Sequence, residues 1–319
     1  MLYFPFMAVL QGICRNRPAL GCTIATGLSL LLIGCTLSPA ERTSKADVHL
    51  QRMAAKLAKQ TDAYSLAAAG LLISVLHLDQ SLDLLTRATA AAPERPDLVW
   101  IQAQVCTRIA GCDPEPMGRR LRELDPANGA GWMGPLIRAH LSSNDEAMDA
   151  ALAAIGQSDH FDIYWTTLIA RLGRATAQVK TMSLEEGEVT IIGVLAAQAI
   201  PAYSVASNAC KGEHLQRAET IEVCRGVARS FENGDTNITE MIGIAIAKRV
   251  WPEDSPEWRA AADARRLYEY RSQFWKDLDL WGSSHTEEYL TLCAENRREQ
   301  DVLKAQLTAA GKNPNPPLE

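Results

Sequence analysis

Apolar and polar positions alternate with helical periodicity through most of the chain, in blocks separated by short polar or proline-containing segments. The first block follows Ser44, where Ser44 and Asp47 can form a capping box and Val48, Met53 and Leu57 recur at roughly helical spacing. Continuous runs of Val, Ile, Thr and Tyr, which are typical of strands, are scarce, whereas Ala, Leu, Arg and Glu dominate. The pattern predicts an all-α protein.

Three tryptophans then mark a repeat in the first half of the chain. Trp100, Trp132 and Trp165 stand 32 and 33 residues apart, each near the start of a predicted helix. Breaking residues precede them, including Pro93 and Pro126. A period near 33 residues with two helices in each unit is typical of a helical solenoid.

The repeat resembles the tetratricopeptide repeat family, in which an aromatic opens the first helix, small residues let the two helices touch and a proline closes the second. The matching positions are Tyr64, Trp100, Trp132 and Trp165 for the aromatic, Ala67, Ala103, Ala88 and Ala151 for small residues, and Pro93 and Pro126 for the closing proline. The sequence departs from the family pattern in four ways. The glycine expected in the first helix is not consistently placed, and Pro135 lies early in one helix. The unit starting at Trp100 carries GCDPEP, and the third boundary lacks a proline. The alternative is a set of unrelated hairpins that carry spaced tryptophans.

Helix start and stop signals predict further helices after the repeats. They are SLEEGEVTIIGVLAAQAI, stopped at Pro201; the amphipathic GEHLQRAETIEVCRGVARSF; one capped by Asn237–Glu240 and running to Trp251; one from Ser255-Pro256 to about Leu280; and one from Ser284 and Glu287 to about Ala310. The predicted organisation is therefore a tetratricopeptide-like α-solenoid at residues 61–173, a helical C-terminal region at 174–311 and a disordered tail at 312–319.

The N-terminus carries the pattern of a processed segment. Arg15 and Arg17 precede an uncharged run from Pro18 to Gly34, which has the length of a signal-peptide apolar region and is short for a membrane span. The run ends at Leu32-Ile33-Gly34-Cys35, which resembles the lipobox of bacterial lipoproteins. The resemblance implies a signal peptide at residues 1–34, lipidation of Cys35, and a tether and lead helix at residues 35–60.

The lipobox resemblance also implies a location in the cell envelope, on the periplasmic side of a membrane. Thr36 in place of Asp points, by the sorting rule of Gram-negative lipoproteins, to the outer membrane. A lipoprotein of this kind carries several acyl chains, which hold a protein firmly at a membrane, whereas a single chain holds it only marginally. The alternatives are a signal anchor or an ordinary cleaved signal with a chance cysteine, and translation from Met7 is a further alternative to Met1.

Cysteine use fits an oxidising compartment. If Cys35 is lipidated, the mature chain keeps five cysteines, and the close spacings favour two disulfides, Cys106 with Cys112 and Cys210 with Cys224. Cys293 would then be unpaired. No CxxC or neighbouring His/Cys set suggests a metal instead.

Charge excludes a nucleic-acid-binding surface. The chain has a formal net charge of -6, which becomes -8 once residues 1–34, with Arg15 and Arg17 and no acid, are removed. Binding to phosphate backbones requires clustered basic residues, which the sequence lacks.

No catalytic signature or cofactor motif occurs. The six histidines are dispersed without an HExxH, and no GxSxG, Walker or dinucleotide motif is present. Asp159-His160-Phe161-Asp162 is interpreted as a solvated turn rather than a metal site. The acid pairs Glu185-Glu186 and Glu253-Asp254 are interpreted as exposed helix starts. We therefore expect no metal, no cofactor and no enzymatic activity.

The region from Trp258 to Trp281 concentrates aromatic residues and arginine. It holds six of the nineteen aromatics, and aromatics with arginine are favoured at protein interfaces. The candidate partner-binding residues are Arg265, Tyr268, Tyr270, Arg271, Phe274 and Trp275. The alternative is that one stripe of this helix is core and the other covers a neighbouring helix.

Together these features predict a membrane-anchored periplasmic lipoprotein that binds one or more envelope proteins through a helical-repeat surface, as a non-enzymatic scaffold. One alternative is an inhibitor or immunity lipoprotein that neutralises a toxin or hydrolase. Another is an envelope enzyme acting on glycans, which would need a cleft with two convergent carboxylates.

Overall fold

The computed structural model describes residues 45–179, 183–274 and 285–317. Within these ranges the regular elements are helices, and the single β-type pairing is an isolated bridge between Asn128 and His160. The helices are α1 Lys45–Leu57, α2 Ala63–Ile73, α3 Leu78–Ala91, α4 Pro96–Cys106, α5 Glu115–Leu124, α6 Met133–Leu141, α7 Asp145–Gly156, α8 Trp165–Ala177, α9 Leu184–Ala209, α10 Ala218–Glu232, α11 Asn237–Val250, α12 Pro256–Phe274, α13 Thr286–Glu295 and α14 Glu299–Ala309. Short 3₁₀ turns cover Gly129–Trp132 and Gly212–Gln216.

Several predictions concern residues outside these ranges. They include the signal segment, the lipobox with Cys35, the Ser44 and Ser284 caps, and the aromatics Trp275 and Trp281. In the part of the chain that the structure describes, no helix has the length and apolar character needed to cross a membrane.

The prediction of an all-α helical-repeat fold is confirmed. Tyr64 lies in the first turn of α2, Trp100 in α4, Trp132 directly before α6, and Trp165 at the first position of α8. Consecutive helices pack against one another from α1 to α5, and α6 packs on α7. The spaced aromatics therefore do mark the starts of successive hairpins.

Small residues permit the close approach of these helices. Ala67, Ala88, Ala103 and Ala151 are all buried. At Gly70, an added Cβ would lie 3.0 Å from the carbonyl oxygen of Ser81 on α3. A larger side chain in α2 would therefore push α3 away, as interiors are close-packed.

Helix α9 lies against the four helices whose starts the spaced aromatics mark. It contacts α2, α4, α6 and α8, and also α11 and α13. From Val189 to Ala209 it contains no charged residue, which is the composition of a helix surrounded by protein. The face formed by α2, α4, α6 and α8 is thus covered by a helix of the chain itself.

The prediction that this helix stops at Pro201 is wrong, because α9 continues to Ala209. A proline removes only one main-chain hydrogen bond, and the contacts of α9 with six other helices hold the remainder. The predicted start is correct: Ser183 and Glu186 form a reciprocal capping box.

Glycine contacts continue the hairpin packing beyond residue 174. Helix α10 packs on α7 and on α11. An added Cβ on Gly226 would lie 2.9 Å from the Cα of Gly156, and one on Gly243 would lie 2.5 Å from the amide nitrogen of Glu232. The main chains of these helices therefore touch directly.

The last predicted helix is divided in two. Helix α13 ends at Glu295 and α14 begins at Glu299, rather than forming one helix to about Ala310. Arg297 donates to the carbonyl oxygen of Asn233 at 3.0 Å, and Arg298 donates to that of Glu232 at 2.8 Å. The break turns both guanidinium groups toward the loop between α10 and α11.

Of two predicted helix caps in this region, one differs and one is confirmed. The cap of α11 is Thr236, whose hydroxyl accepts from the Thr239 amide at 3.0 Å, rather than Asn237. Ser255 caps α12 as predicted, because its hydroxyl accepts from the Trp258 amide at 3.1 Å.

Both predicted cysteine pairs are bonded. The Cα atoms of Cys106 and Cys112 are 5.4 Å apart, and those of Cys210 and Cys224 are 5.6 Å apart. Cys293 is an unpaired, buried thiol, and burial raises its pKa to about 12. The first bond ties the end of α4 to the following loop, and the second ties the end of α9 to α10.

Candidate functional site

An open cleft lies where α2, α8 and the start of α4 meet near the end of α13. Its void volume is about 980 Å³, open solvent included. We call it the Tyr64 cleft; it is lined by Asp62, Tyr64, Arg95, Thr167, Ala170, Arg171, Arg174, Ala175, Gln178 and Ala294. Three of these residues are arginines, and Asp62 is the single carboxylate among them.

Helix caps place the first of these side chains. The Asp62 carboxylate accepts from the amide of Ser65 at 2.9 Å, which caps α2 and sets Tyr64 in its first turn. Arg95 directly precedes Pro96, the first residue of α4. Tyr64 and Arg95 therefore face each other from two helix starts.

A buried carboxylate joins the two. The Tyr64 hydroxyl donates to Asp97 Oδ2 at 2.9 Å, and Arg95 donates to both oxygens of Asp97 at 3.0 and 3.2 Å. The Asp97 side chain is 1% exposed. Burial, followed by the charge of Asp97, raises the pKa of Tyr64 well above its ordinary value. Tyr64 is thus neutral and fixed, and Arg95 is neutralised by its partner.

Two arginines on α8 complete the cationic side of the cleft. The Arg171 guanidinium carbon lies 4.9 Å from the centroid of the Tyr64 ring, and that of Arg95 lies 5.7 Å from it. Arg174, three residues on, pairs with Glu287 at 3.0 Å. Among the described residues, neither an ion pair nor a hydrogen bond joins Arg171 to another group, whereas Arg174 is paired.

This geometry suits an anionic group. Arg171 is exposed, and its guanidinium is oriented by the ring beside it. The Arg174–Glu287 pair is also exposed, so an incoming carboxylate can replace Glu287 at little cost. A carboxylate placed beside Tyr64 would therefore meet two donors from one helix face.

A second polar cluster lies where the loop before α8 meets the loop after α5. We call it the loop junction; its residues are Asp125, Asn128, His160, Asp162 and Tyr164. The Asn128 amide donates to the Asp162 carbonyl at 2.9 Å, and the Tyr164 hydroxyl donates to Asp125 at 3.0 Å. His160 Nε2 lies 3.6 Å from Asp125 and 3.8 Å from Asp162.

The loop junction corrects the interpretation of Asp159-His160-Phe161-Asp162 as a solvated turn. Phe161 is fully buried, and Asp162 is 4% exposed. Phe161 packs on Phe231 with ring centroids 4.5 Å apart, and Arg297 pairs with Asp162 at 2.5 Å. The segment is therefore exposed at Asp159 but buried at Phe161 and Asp162, where it connects two hairpins.

Charge within the loop junction is balanced. The hydrogen bond to Asp125 raises the pKa of His160, and the hydrogen bond to His160 lowers the pKa of Asp125. Tyr164 has a left-handed backbone with φ of 61°.

The other candidates for chemistry are not brought together. No group of three His, Cys, Asp or Glu side chains suited to a metal ion is found among the residues described. Glu186 serves as a capping residue, and Glu253 and Asp254 are exposed in the turn before α12. These acids therefore stay as predicted, at helix starts.

The proposed partner-binding residues lie on α12 and make contacts that are mostly within that helix. Arg271 is buried, Arg265 pairs with Glu269, and the rings of Tyr270 and Phe274 form an edge-on pair with centroids 5.1 Å apart. Burial raises the pKa of Tyr268. The Arg265–Glu269 and Tyr270–Phe274 contacts both lie within α12 itself. Partner binding by this helix stays a prediction, and Trp275 lies outside the described residues.

The sequence placed Tyr64 only as the opening aromatic of a repeat. The spacing of Arg171 and Arg174 on one helix face was a usable signal, as was the Arg95-Pro96-Asp97 start. The contact between Arg171 and Tyr64 joins residues more than a hundred positions apart, and no local sequence pattern predicts it.

No protein-family profile, curated protein or solved structure matches this chain.

Proposed function

We propose that this chain is a non-enzymatic protein-binding module of the cell envelope, and that the Tyr64 cleft receives an acidic segment of a partner protein. The observation that carries the proposal is Arg171. It is an exposed cation held over an aromatic ring, in an open cleft, without an ion pair among the described residues.

The packing of α9 supports this choice of surface. A helical-repeat protein commonly binds on the face formed by the first helices of its hairpins. Here that face contacts α9, whereas the Tyr64 cleft is open at its end. A partner segment can enter the cleft without displacing a core helix.

Charge complementarity supports an acidic partner. The chain as a whole is negative, at -6, and an acidic segment would be repelled from most of its surface. In the Tyr64 cleft Arg95 pairs with Asp97 and Arg174 pairs with Glu287, so the charge of Arg171 is the local exception. Such a contrast favours specific docking over general adhesion.

Anchoring is the second part of the proposal. We propose that Cys35 is lipidated after removal of residues 1–34 and holds the module on the periplasmic side, at the outer membrane. The two disulfides support an oxidising compartment.

The binding proposal is tested by capture from detergent-solubilised membranes with the wild-type chain, Arg171→Glu and the control Arg119→Glu. Arg119 is an exposed arginine on α5, so the control makes the same charge change away from the cleft. We expect one partner to co-purify with wild type and control and to be lost with Arg171→Glu. Equal recovery with all three would refute the assignment of the cleft.

The anchor is tested separately with Cys35→Ser. We expect loss of acyl labelling and release of the protein from membrane fractions. Unchanged labelling and retention would refute lipidation at this residue and would leave the cleft proposal intact.

A further inference from the structure

Helix α1 and the turn after it carry positive charge in a chain that is negative as a whole. Residues 45–60 hold four basic residues and one acid, for a net charge of +3, whereas the whole chain carries -6. This charge therefore belongs to the first described helix that follows the proposed lipid attachment site.

The helical register gathers the positive charge on one flank of α1. Met53 and Leu57 are fully buried against the core, whereas Arg52 and Lys56, one helical turn apart, are exposed. Lys59 is exposed in the turn directly after the helix. We call Arg52, Lys56 and Lys59 the basic face.

The chain does not neutralise the basic face from within. Among the described residues, neither an ion pair nor a side-chain hydrogen bond involves any of its three members. Asp47, the single acid of α1, is nine residues from Lys56, which places it on the opposite side of a helix with about 3.6 residues per turn. The Arg87 guanidinium on α3 lies 3.5 Å from the Ala58 carbonyl oxygen, so a further cation lies beside the end of α1.

The basic face also follows the proposed anchor closely. Ten positions separate Cys35 from Lys45, the first residue of α1. A chain spans at most about 3.3–3.6 Å per residue, so lipidation at Cys35 would hold the start of α1 within about 35 Å of the membrane. Helix α1 is the described element nearest to that anchor along the chain.

The form of the basic face suits a membrane surface. Its side chains lie on the outside of one helix, away from the residues that line the Tyr64 cleft. Polybasic segments bind anionic lipid headgroups through diffuse charge and need no shaped pocket. A nucleic-acid site typically makes about 6–10 phosphate contacts, which is more than three cations supply.

We infer that the basic face docks on an anionic membrane surface and holds the flank of α1 against the lipid headgroups. The inference rests on the proposed anchor for its place in the cell, but the attraction itself does not require the lipid. Acyl chains and a polybasic surface act together, because the chains retain a protein at the membrane and the charges add to the affinity. The basic face would thus orient the anchored module.

The negative charge of the remaining chain does not cancel this attraction. At about 0.1 M salt the Debye length is about 10 Å, so acids on distant helices are screened from a surface that touches α1. Each basic residue close to an anionic surface raises the affinity by about fivefold. The three residues of the basic face should therefore contribute about a hundredfold together.

The test measures the binding of vesicles by the chain without its lipid. The protein comprises residues 35–319 with Cys35→Ser, which keeps every residue that the structure describes. The probes are vesicles of phosphatidylcholine alone and vesicles that also contain about 30% phosphatidylglycerol, and cosedimentation measures the bound fraction. At about 0.1 M salt we expect at least about tenfold tighter binding to the anionic vesicles. The difference should vanish at about 1 M salt, where the Debye length is about 3 Å.

A triple variant locates the binding on α1. Arg52→Gln, Lys56→Gln and Lys59→Gln together should weaken binding to the anionic vesicles by about a hundredfold. All three side chains are exposed, so the variant should keep its fold, and circular dichroism melting verifies this.

The matched control makes the same change in net charge elsewhere on the surface. It combines Arg119→Gln, Arg249→Gln and Arg259→Gln, which replace three other exposed arginines. The control should bind the anionic vesicles like the parent chain. An equal loss in both triple variants would show that only net charge matters, and it would overturn the inference.

Three other results would also overturn the inference. They are no binding of the folded parent chain to the anionic vesicles, equal binding to both kinds of vesicle, and binding of fluorescein-labelled polyglutamate by the basic face in place of vesicles. The last result would assign the face to an acidic protein. A failure of lipidation at Cys35 would leave all these measurements unchanged, so the anchor and the basic face are tested separately.

Discussion

The contact between Gly226 on α10 and Gly156 at the end of α7 offers the most direct test of how the chain packs beyond its first hairpins. A Cβ on Gly226 would lie 2.9 Å from both the Cα and the carbonyl carbon of Gly156, and closer still to its oxygen. Each of these atoms belongs to the main chain, so no side chain can rotate away. Gly226→Ala therefore forces the two helices apart.

The expected cost can be worked out from this geometry. Ordinary contact begins at 3.4 Å, so the deficit at the Cα is 3.4 − 2.9 = 0.5 Å or more. If the two helices move apart by that distance, the atoms on either side of the new gap lose about a quarter to a half of their dispersion energy. Overpacking costs about 1–3 kcal/mol, and the higher helix propensity of alanine offsets about 0.5–1 kcal/mol. Because every close atom of Gly156 belongs to the main chain, the upper end of the overpacking range applies, and we expect a net loss of about 2 kcal/mol for Gly226→Ala.

Gly193→Ala is the matched control. Gly193 is also helical, but an added Cβ there meets no atom within 4 Å. The same substitution should therefore stabilise the protein by about 0.5–1 kcal/mol. With about 2–4 °C per kcal/mol for a chain of this size, Tm should fall by about 4–8 °C at Gly226 and rise slightly at Gly193.

Far-UV circular dichroism melts and guanidinium titrations of the two variants measure these differences. If Gly226→Ala melts at or above the wild-type temperature, the direct contact of α7 with α10 is wrong. A lower Tm for both Gly226→Ala and Gly193→Ala would instead refute the argument that alanine stabilises the helix at Gly193.

Three further predictions follow from buried or cross-linked groups. Asp235→Ala should cost about 2–5 kcal/mol, because the carboxylate accepts from two buried main-chain amides near the start of α8 at 2.7 and 3.0 Å; Asp235→Asn, which keeps one acceptor, should cost less, and equal denaturation midpoints would contradict this. Burial raises the pKa of Glu188 from 4.5 to about 7, so its share of stability is present below pH 4.5 and lost as pH rises through about 7; Glu188→Gln should flatten the fall in unfolding free energy over that window, and parallel curves would refute the assignment. Replacing Cys210 and Cys224 with alanine opens a link across 14 residues and should cost about 3 kcal/mol, an effect that reduction of the wild type should reproduce and that an unchanged midpoint would exclude.

Local signals predicted much of the fold. The capping box of Ser183 with Glu186 and the Ser255-Pro256 start both lie within one helical turn, and both predictions are confirmed. The tryptophan spacing located the hairpin starts because each aromatic occupies the same position in a repeated local unit. The cysteine pairs, separated by 6 and 14 residues, were also short-range features.

Errors arose where distant segments determine the outcome. Pro201 is a helix-ending signal locally, yet α9 passes it because the surrounding helices hold it. The polar composition of Asp159-His160-Phe161-Asp162 suggested an exposed turn, yet its second half is buried, because Phe231 packs on Phe161 and Arg297 pairs with Asp162. In both cases the local preference is small compared with the packing and hydrogen bonds supplied from elsewhere.

The sequence by itself determined that the chain is helical, where its first hairpins begin, and which cysteines pair. These properties depend on periodicity, capping and short loops, which act over a few residues. Only the tertiary structure decided that α9 fills the face of the hairpins, that Tyr64 meets Arg171, and that the tail lies on Arg271. Those contacts join residues far apart in the chain, and their energies depend on which surfaces the packed helices leave open.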